Sequence, residues 1–413
     1  MQNHGLDRLP VHSILEDLVR VSEPIETARG LPNYAYTSED FARFERDNLL
    51  ARTWTCVGVG AWVPQPGDVR PIELLGLPLI LLRDQAGDIK VFHNVCSHRG
   101  LKLLTKPGRL GKALRCPYHS WTYDLEGRLR ATPHVGGSGK NHCPGFTREG
   151  NGLKQVRTGV WMDMVFVNLS GDAQPFADYI APLARRWHMV DPDLIRHGGS
   201  DSRLGFDLAC NWKLAVENYC EAYHLPWVHP SLNAYSRLED HYHIEMEGVG
   251  SGQGTMVYSP TLTDDGQAFP RFPRWPADWD KRAEYIALYP NVLVGLHADH
   301  FYAVIVEPLA AGRTREHFEI YYVGDEALGP DFDRLRRANA ETWRGVFAED
   351  QDVVEGMQAG RASPGFQGGV FSPAMDGPTL CFHQWAAETL RRSLAHFDQE
   401  NVIRFRNEAG DTA

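Results

Sequence analysis

The chain has 413 residues, 43% hydrophobic and 23% charged, the balance of a folded globular protein of two domains rather than a disordered or fibrous one. A formal net charge of -11 argues against a nucleic-acid polyanion or an anionic membrane surface as partner. The longest apolar run, 74–82, contains Gly76 and Pro78 and is about half the ~20 residues that cross a bilayer, so no membrane span is expected.

In chain order, residues 1–20 mix charges with single apolar residues and hold no apolar core of the kind that marks a secretory signal, so a cytoplasmic location is expected. The seven cysteines are scattered and odd in number, which suits thiols or metal ligands better than disulfides. Residues 1–45 form a helical lead-in expected to pack on the C-terminal domain, with the segment 36–40 capping an amphipathic stretch that ends near Leu50. Residues 46–170 then carry short β-rich runs at 53–63, 69–75, 79–83, 89–93, 113–116, 122–125 and 161–169, separated by turn signals, the pattern of a small antiparallel domain. Residues 171–413 predict a helix over 176–189, a strand over 204–210, a helix from Asn211, strands over 291–306 and 317–323, a long helix over 330–360 and a closing helix over 381–397. The fold class is therefore α+β: a small antiparallel β domain plus a larger domain in which an antiparallel sheet is flanked by helices. The Pro-rich stretch 269–278 and the Gly-rich stretch 248–254 read as loops, and the latter misses the G-x-G-x-x-G spacing, so reducing equivalents must come from another protein.

Within the small domain, Cys96-Ser97-His98 and Cys116-Pro117-Tyr118-His119 give C-x-H, seventeen intervening residues and C-x-x-H. Each half offers one thiolate and one imidazole. Together they can close on a two-iron cluster, with both cysteines on one iron and both histidines on the other. Zinc modules instead group C-x₂₋₄-C with H-x₃₋₅-H, which makes zinc the weaker reading. The two segments, extended by Arg99-Gly100 and by Ser120-Trp121 with Tyr123, resemble the two cluster-binding loops of the Rieske family, which implies a [2Fe–2S] cluster held by Cys96, His98, Cys116 and His119.

In the larger domain, the helix opened by Asn211 is expected to place Trp212, Ala215, Val216, Tyr219, Ala222 and Tyr223 on a core face, and Glu217, Glu221 and His224 on the other. His224 and His229 lie ~140° apart on an ideal helix, so they can share an ion only if the helix breaks between them, and Pro226 is expected to supply that break. On the long C-terminal helix, Asp350 falls within the apolar arc formed by Trp343, Val346, Phe347, Val353, Val354 and Met357. Glu349 lies just outside the arc, and Asp352 and Glu355 lie opposite it. A carboxylate in an apolar stripe is costly unless a cation meets it, so His224, His229 and Asp350 are expected to form a 2-His-1-carboxylate face.

Asn211-Trp212-Lys213, Glu217-Asn218, Glu221-x-Tyr-His224-x₄-His229 and Glu349-Asp350 resemble the catalytic signature of Rieske oxygenase large subunits, over roughly residues 40 to 400. That resemblance implies a mononuclear iron(II) on His224, His229 and Asp350, a homotrimer, and a carboxylate, here Glu221, bridging a cluster histidine of one subunit to an iron-binding histidine of its neighbour. Many ring-hydroxylating members carry Asp at that place and one further residue after the Glu-Asn pair. The shorter Glu-bearing version is more similar to the branch that oxidises quaternary ammonium compounds. The implied partners are O₂, a small-molecule substrate and a separate NAD(P)H-dependent flavin/iron–sulfur reductase. The implied reaction is hydroxylation of a C–H bond, leading to N-demethylation where the carbon is an N-methyl. An aromatic ring or aryl acid is the alternative substrate, and an electron-carrying Rieske protein without catalysis is the alternative of another class. Trp227, Tyr302 and Trp343 are candidates for an aromatic box around an ammonium group.

Overall fold

A computed structural model, describing residues 8–395 and 402–404, divides the chain into two compact units, Arg52–Ala173 and Met1–Ala51 with Gln174–Ala413.

The smaller unit consists of short antiparallel sheets. Ile89–His93, Leu77–Arg83, Asp68–Leu74 and Gly108–Arg109 form one; Arg157–Trp161, Met164–Asn168 and Thr55–Val59 a second; Ala113–Arg115, Thr122–Asp124 and Leu129–Ala131 a third. The stretch 161–169 is not one strand. Met162 and Asp163 both take positive φ, 47° and 66°, and turn the chain into a hairpin between Trp161 and Met164, a two-residue connection whose twist suits the flanking strands. Neither residue is a glycine, which hides the turn from a reading of Gly, Asn and Pro signals.

The larger unit is built on an antiparallel sheet ordered Ile195–His197, Arg313–Val323, His300–Ala310, Val292–Leu296, Ala283–Leu288, Gly250–Thr255 and His241–Met246, with Arg203–Leu208 also pairing with Arg313–Val323. The expected strand over 291–306 is a hairpin of two. The Gly-rich stretch taken as a loop is a fully buried strand, Gly250–Thr255. Its glycines are there for contact: a Cβ on Gly252 would stand 2.0 Å from the Tyr285 carbonyl oxygen, and one on Gly254 2.3 Å from the Tyr242 ring. Composition alone gives strand-breaking glycine its usual meaning and misses the close approach that makes it necessary here.

Helices cover this sheet. Ser38 caps the helix Glu39–Glu45 by accepting from Phe41 N at 3.2 Å, and the coil continues to Leu50. Val11–Val21 lays Val11, Ile14, Leu18 and Val21 against the closing helix Gly377–Leu394, which starts four residues before the expected 381. The end of that expected helix, 396–397, lies outside the described residues. The helix Trp212–Cys220 is buried on nearly every side rather than on one face. Its polar residues are paired: Lys213 Nζ meets Glu45 Oε2 at 2.7 Å, and Glu217 meets Arg361 and His383 at 3.4 Å each and Tyr36 OH closer still. Glu217 therefore faces a buried network and not solvent.

Candidate functional site

Asn211 opens the helix Trp212–Cys220 by accepting from Lys213 N at 3.1 Å, and the helix ends one residue before Glu221. Glu221 is extended (φ -126°, ψ 161°), so the long helix breaks ahead of both histidines, and Pro226 makes no break between them: it occupies the first turn of a new short helix, Leu225–Val228, which ends at His229 (φ -120°, ψ 58°). Proline fits that place because its missing N–H is unsatisfied in a first turn anyway. His224 and His229 flank this one-turn helix, before and after it. The long helix Asp333–Arg361 brings Asp350 to them on the stripe shared with the buried Trp343, Phe347 and Val354.

The three side chains converge. Their ligand atoms lie within 4.8 Å of one another, with Asp350 Oδ1 at 3.0 Å from His229 Nε2 and 3.7 Å from His224 Nε2. Both imidazoles are oriented from behind: His224 Nδ1–H donates to Glu221 Oε1 at 2.7 Å, and His229 Nδ1–H to Glu349 Oε2 at 2.7 Å. Those partners set the tautomers and leave each Nε2 lone pair facing Asp350. Glu221 is itself held by the backbone N–H groups of Tyr223 and His224. Asp350 Oδ1 is buried and accepts no well-aligned hydrogen bond, despite its closeness to His229. Two lone-pair nitrogens and an orphaned carboxylate oxygen, aimed together, fit a divalent iron with open positions. The sequence assigns Glu349 no role of its own, because helical phase puts it just outside the apolar arc, although it stands beside Asp350 in the motif that carries the resemblance.

A pocket opens beside these three side chains, lined by Asn218, Tyr219, Glu221, His241, Gln253, Tyr285, Tyr302, Trp343 and Phe347 among others, with no Lys or Arg among the described residues of its lining. Tyr302 and Trp343 thus reach the cavity as expected of an aromatic box. Trp227 does not: it is 70% exposed and packs edge-on against Tyr223 at 5.8 Å. Tyr219 and Tyr285, which line the same wall, were not singled out in the sequence because nothing in their spacing separates them from core.

In the smaller unit the loops 96–101 and 116–121 have the same build. Gly100 N–H bonds to Cys96 O and Ser120 N–H to Cys116 O, both at 3.0 Å; Cys96 N–H bonds to Leu101 O at 2.9 Å and Cys116 N–H to Trp121 O at 2.8 Å. Gly100 (φ 76°) and Ser120 (φ 58°) take the left-handed turn that each loop needs. The loops bring His98 and His119 to 4.7 Å between ring centroids, while Cys96 and Cys116 are buried in a common core with Trp121 and Tyr123. Tyr123 OH lies 3.2 Å from Cys96 Sγ, and His119 Nδ1 is buried without a partner. Two buried thiols, two neighbouring imidazoles and one orphaned ring nitrogen fit a [2Fe–2S] cluster of mixed ligation.

The comparisons agree with this geometry. Residues 53–146 match the Rieske [2Fe-2S] domain, and residues 186–392 match the catalytic domain of the ring hydroxylating alpha subunit. The chain is 27% identical over 352 residues to the carnitine monooxygenase oxygenase subunit of Acinetobacter pittii, covering 83% of this chain and 88% of that one. It is 28% identical over 372 residues to the chloroplastic choline monooxygenase of Arabidopsis thaliana, covering 87% and 82%. Its fold is that of a quaternary ammonium Rieske monooxygenase solved with L-carnitine, at a TM-score of 0.72 and 23% identity over 93% of this chain and 99% of that one. Among the described residues no helix is long and apolar enough to cross a membrane. With more than half of its length matched by the two domains, the chain belongs to the ring-hydroxylating oxygenase alpha subunits, O₂-using oxidoreductases that carry a Rieske [2Fe–2S] cluster and a mononuclear iron.

Proposed function

We propose that this chain hydroxylates a C–H bond of a small quaternary ammonium compound in the cavity beside His224, His229 and Asp350. The observation that carries the reading is the cavity wall: five aromatic side chains, Tyr219, Tyr285, Tyr302, Trp343 and Phe347, and no Lys or Arg. Such a wall attracts an ammonium group through the ring faces and does not repel it. The names of the relatives, oxygenase subunits for carnitine and choline, support the same class.

In this reading His224, His229 and Asp350 hold the iron, and Cys96, His98, Cys116 and His119 hold the cluster. Bound iron(II) supplies the activation of O₂. The chain's own part is to keep the iron face open, fix both imidazole tautomers through Glu221 and Glu349, and hold the C–H bond in a largely apolar cavity. If the oxidised carbon is an N-methyl, the hydroxymethyl ammonium releases formaldehyde and a proton and leaves the demethylated amine. In the same reading Glu221, which accepts from His224 Nδ1–H, links His224 to His119 of a neighbouring copy in a cytoplasmic homotrimer. A separate NAD(P)H-dependent flavin/iron–sulfur reductase supplies the electrons.

The test is O₂ uptake and formaldehyde release with a surrogate reductase, across choline, glycine betaine, L-carnitine and benzoate. Turnover of ammonium compounds is expected, and turnover of benzoate alone refutes the reading. Glu221→Gln is expected to keep both metal centres and lose turnover; an unchanged rate removes the bridging role.

A further inference from the structure

Packed against the aromatic wall are polar atoms that no described residue satisfies, and they differ from the rest of the wall in this. Tyr219 OH donates to Val294 O at 2.9 Å and lies 3.0 Å from Tyr302 OH, and Trp343 Nε1–H donates to His300 Nε2 at 3.2 Å, so those polar groups are engaged. Tyr285 OH, Tyr258 OH and both ring nitrogens of His297 are buried without a partner. They form one cluster: His297 lies 5.5 Å from Tyr285, 4.4 Å from Tyr258 and 5.3 Å from Trp343, ring centroid to centroid. Four orphaned polar atoms in one buried cluster are rare in a folded protein, because each costs free energy when left unpaired.

The charges around them limit what they can receive. Burial first, and then the neighbouring His300 stacked at 4.1 Å, hold the His297 imidazole well below its ordinary pKa, so it is neutral. The non-ligand histidine that lines the cavity, His241, is fixed between Gln253 Oε1 on Nδ1 and Ser236 Oγ on Nε2 at 3.0 Å, and burial likewise lowers its pKa. No Lys or Arg lines the cavity, and the +2 charge of an iron(II) held there is balanced by the carboxylates of Glu221 and Asp350, so a negative group meets no surplus positive charge. An unpaired buried carboxylate is strongly disfavoured.

We propose that the ammonium substrate carries an uncharged polar tail, an amino alcohol rather than a zwitterionic betaine, and that Tyr285 OH, backed by His297 and Tyr258, is the specificity-determining seat for that tail. This rests on the ammonium reading above and narrows it. Choline and glycine betaine separate the two cases, since they share the trimethylammonium head and differ in a CH₂OH against a carboxylate.

With holoenzyme and a surrogate reductase, kcat/KM from O₂ uptake is expected to favour choline over glycine betaine by about a hundredfold, the scale of leaving a buried charge unpaired. Tyr285→Phe is expected to raise KM several-fold for choline while leaving that for propyltrimethylammonium, which lacks the hydroxyl, unchanged; a merely structural role for Tyr285 would move both alike. Glycine betaine or L-carnitine equal to or better than choline overturns the neutral-tail proposal and leaves the ammonium reading standing, as does an equal effect of Tyr285→Phe on both compounds. Failure of every ammonium compound overturns both.

Discussion

Glu349 is the residue on which the structure adds most to the iron site, and its removal gives a separable effect. Glu349→Ala takes away the acceptor of the His229 Nδ1–H at 2.7 Å and frees an imidazole that is itself only 2% exposed. Loss of such an orienting partner typically costs 10- to 100-fold in metal affinity, about 1.4 to 2.7 kcal/mol. Glu349 is 41% exposed, so water replaces part of what it gives, which places the loss near tenfold. Glu221 holds His224 in the same way but is 14% exposed and pinned by two backbone N–H groups, so Glu221→Ala falls nearer the upper end. The assay is Fe(II) titration against a competing chelator after selective removal of the mononuclear iron, with the visible absorbance of the [2Fe–2S] cluster counting folded chains. Glu349→Gln, which keeps a neutral acceptor, is expected between parent and Ala. An affinity for Glu349→Ala within twofold of the parent, with the cluster intact, refutes the orienting role.

Two further outcomes test the packing around the site. Burial by itself would raise the Glu217 carboxyl, but His383, and then Arg361, hold it below its ordinary value of 4.5; the stability it contributes is therefore complete above that range and lost as pH falls below it. Glu217→Gln leaves Arg361 without its counter-charge and is expected to cost roughly 3 kcal/mol at pH 7 and to flatten the loss of stability between about pH 5 and pH 3, read from urea midpoints; an unchanged acid limb removes Glu217 as its source. Gly252→Ala drives a methyl to 2.0 Å from the Tyr285 carbonyl oxygen and is expected to destabilise by roughly 3 kcal/mol, whereas a tolerated alanine would mean that the strand does not lie where the structure has it.

The side chains proposed as metal ligands were legible in the sequence because spacing records the chemistry each would serve. The two cysteine–histidine loops carry their ligands within four residues, and Asp350 stands out as a carboxylate in an apolar stripe. The groups behind those ligands were less legible for the same reason. Glu349 meets His229 at the ring nitrogen that faces away from Asp350, and helical phase ranks it as peripheral; Glu221 is reached only through the family resemblance, as a bridging carboxylate. The error at Glu217–His224 has a single cause: the helix was extended past Cys220 on pattern alone, although Glu221 has to leave the helix if its carboxylate is to cap His224 N and meet His224 Nδ1.

The substrate wall was legible only in part, because it is assembled from distant elements. Tyr219 comes from the helix that ends at Cys220, Tyr285 and Tyr302 from two strands of the sheet, and Trp343 from the long helix. No local period connects them, and each alone is indistinguishable from core. What separates Tyr285 from Tyr302 is not its residue type or its burial but whether its hydroxyl already has a partner: Tyr302 has Tyr219, and Tyr285 has none. Whether a buried hydroxyl has a partner depends on groups that distant segments bring together, and so the proposed specificity of this site, unlike its metal chemistry, leaves no record in local spacing.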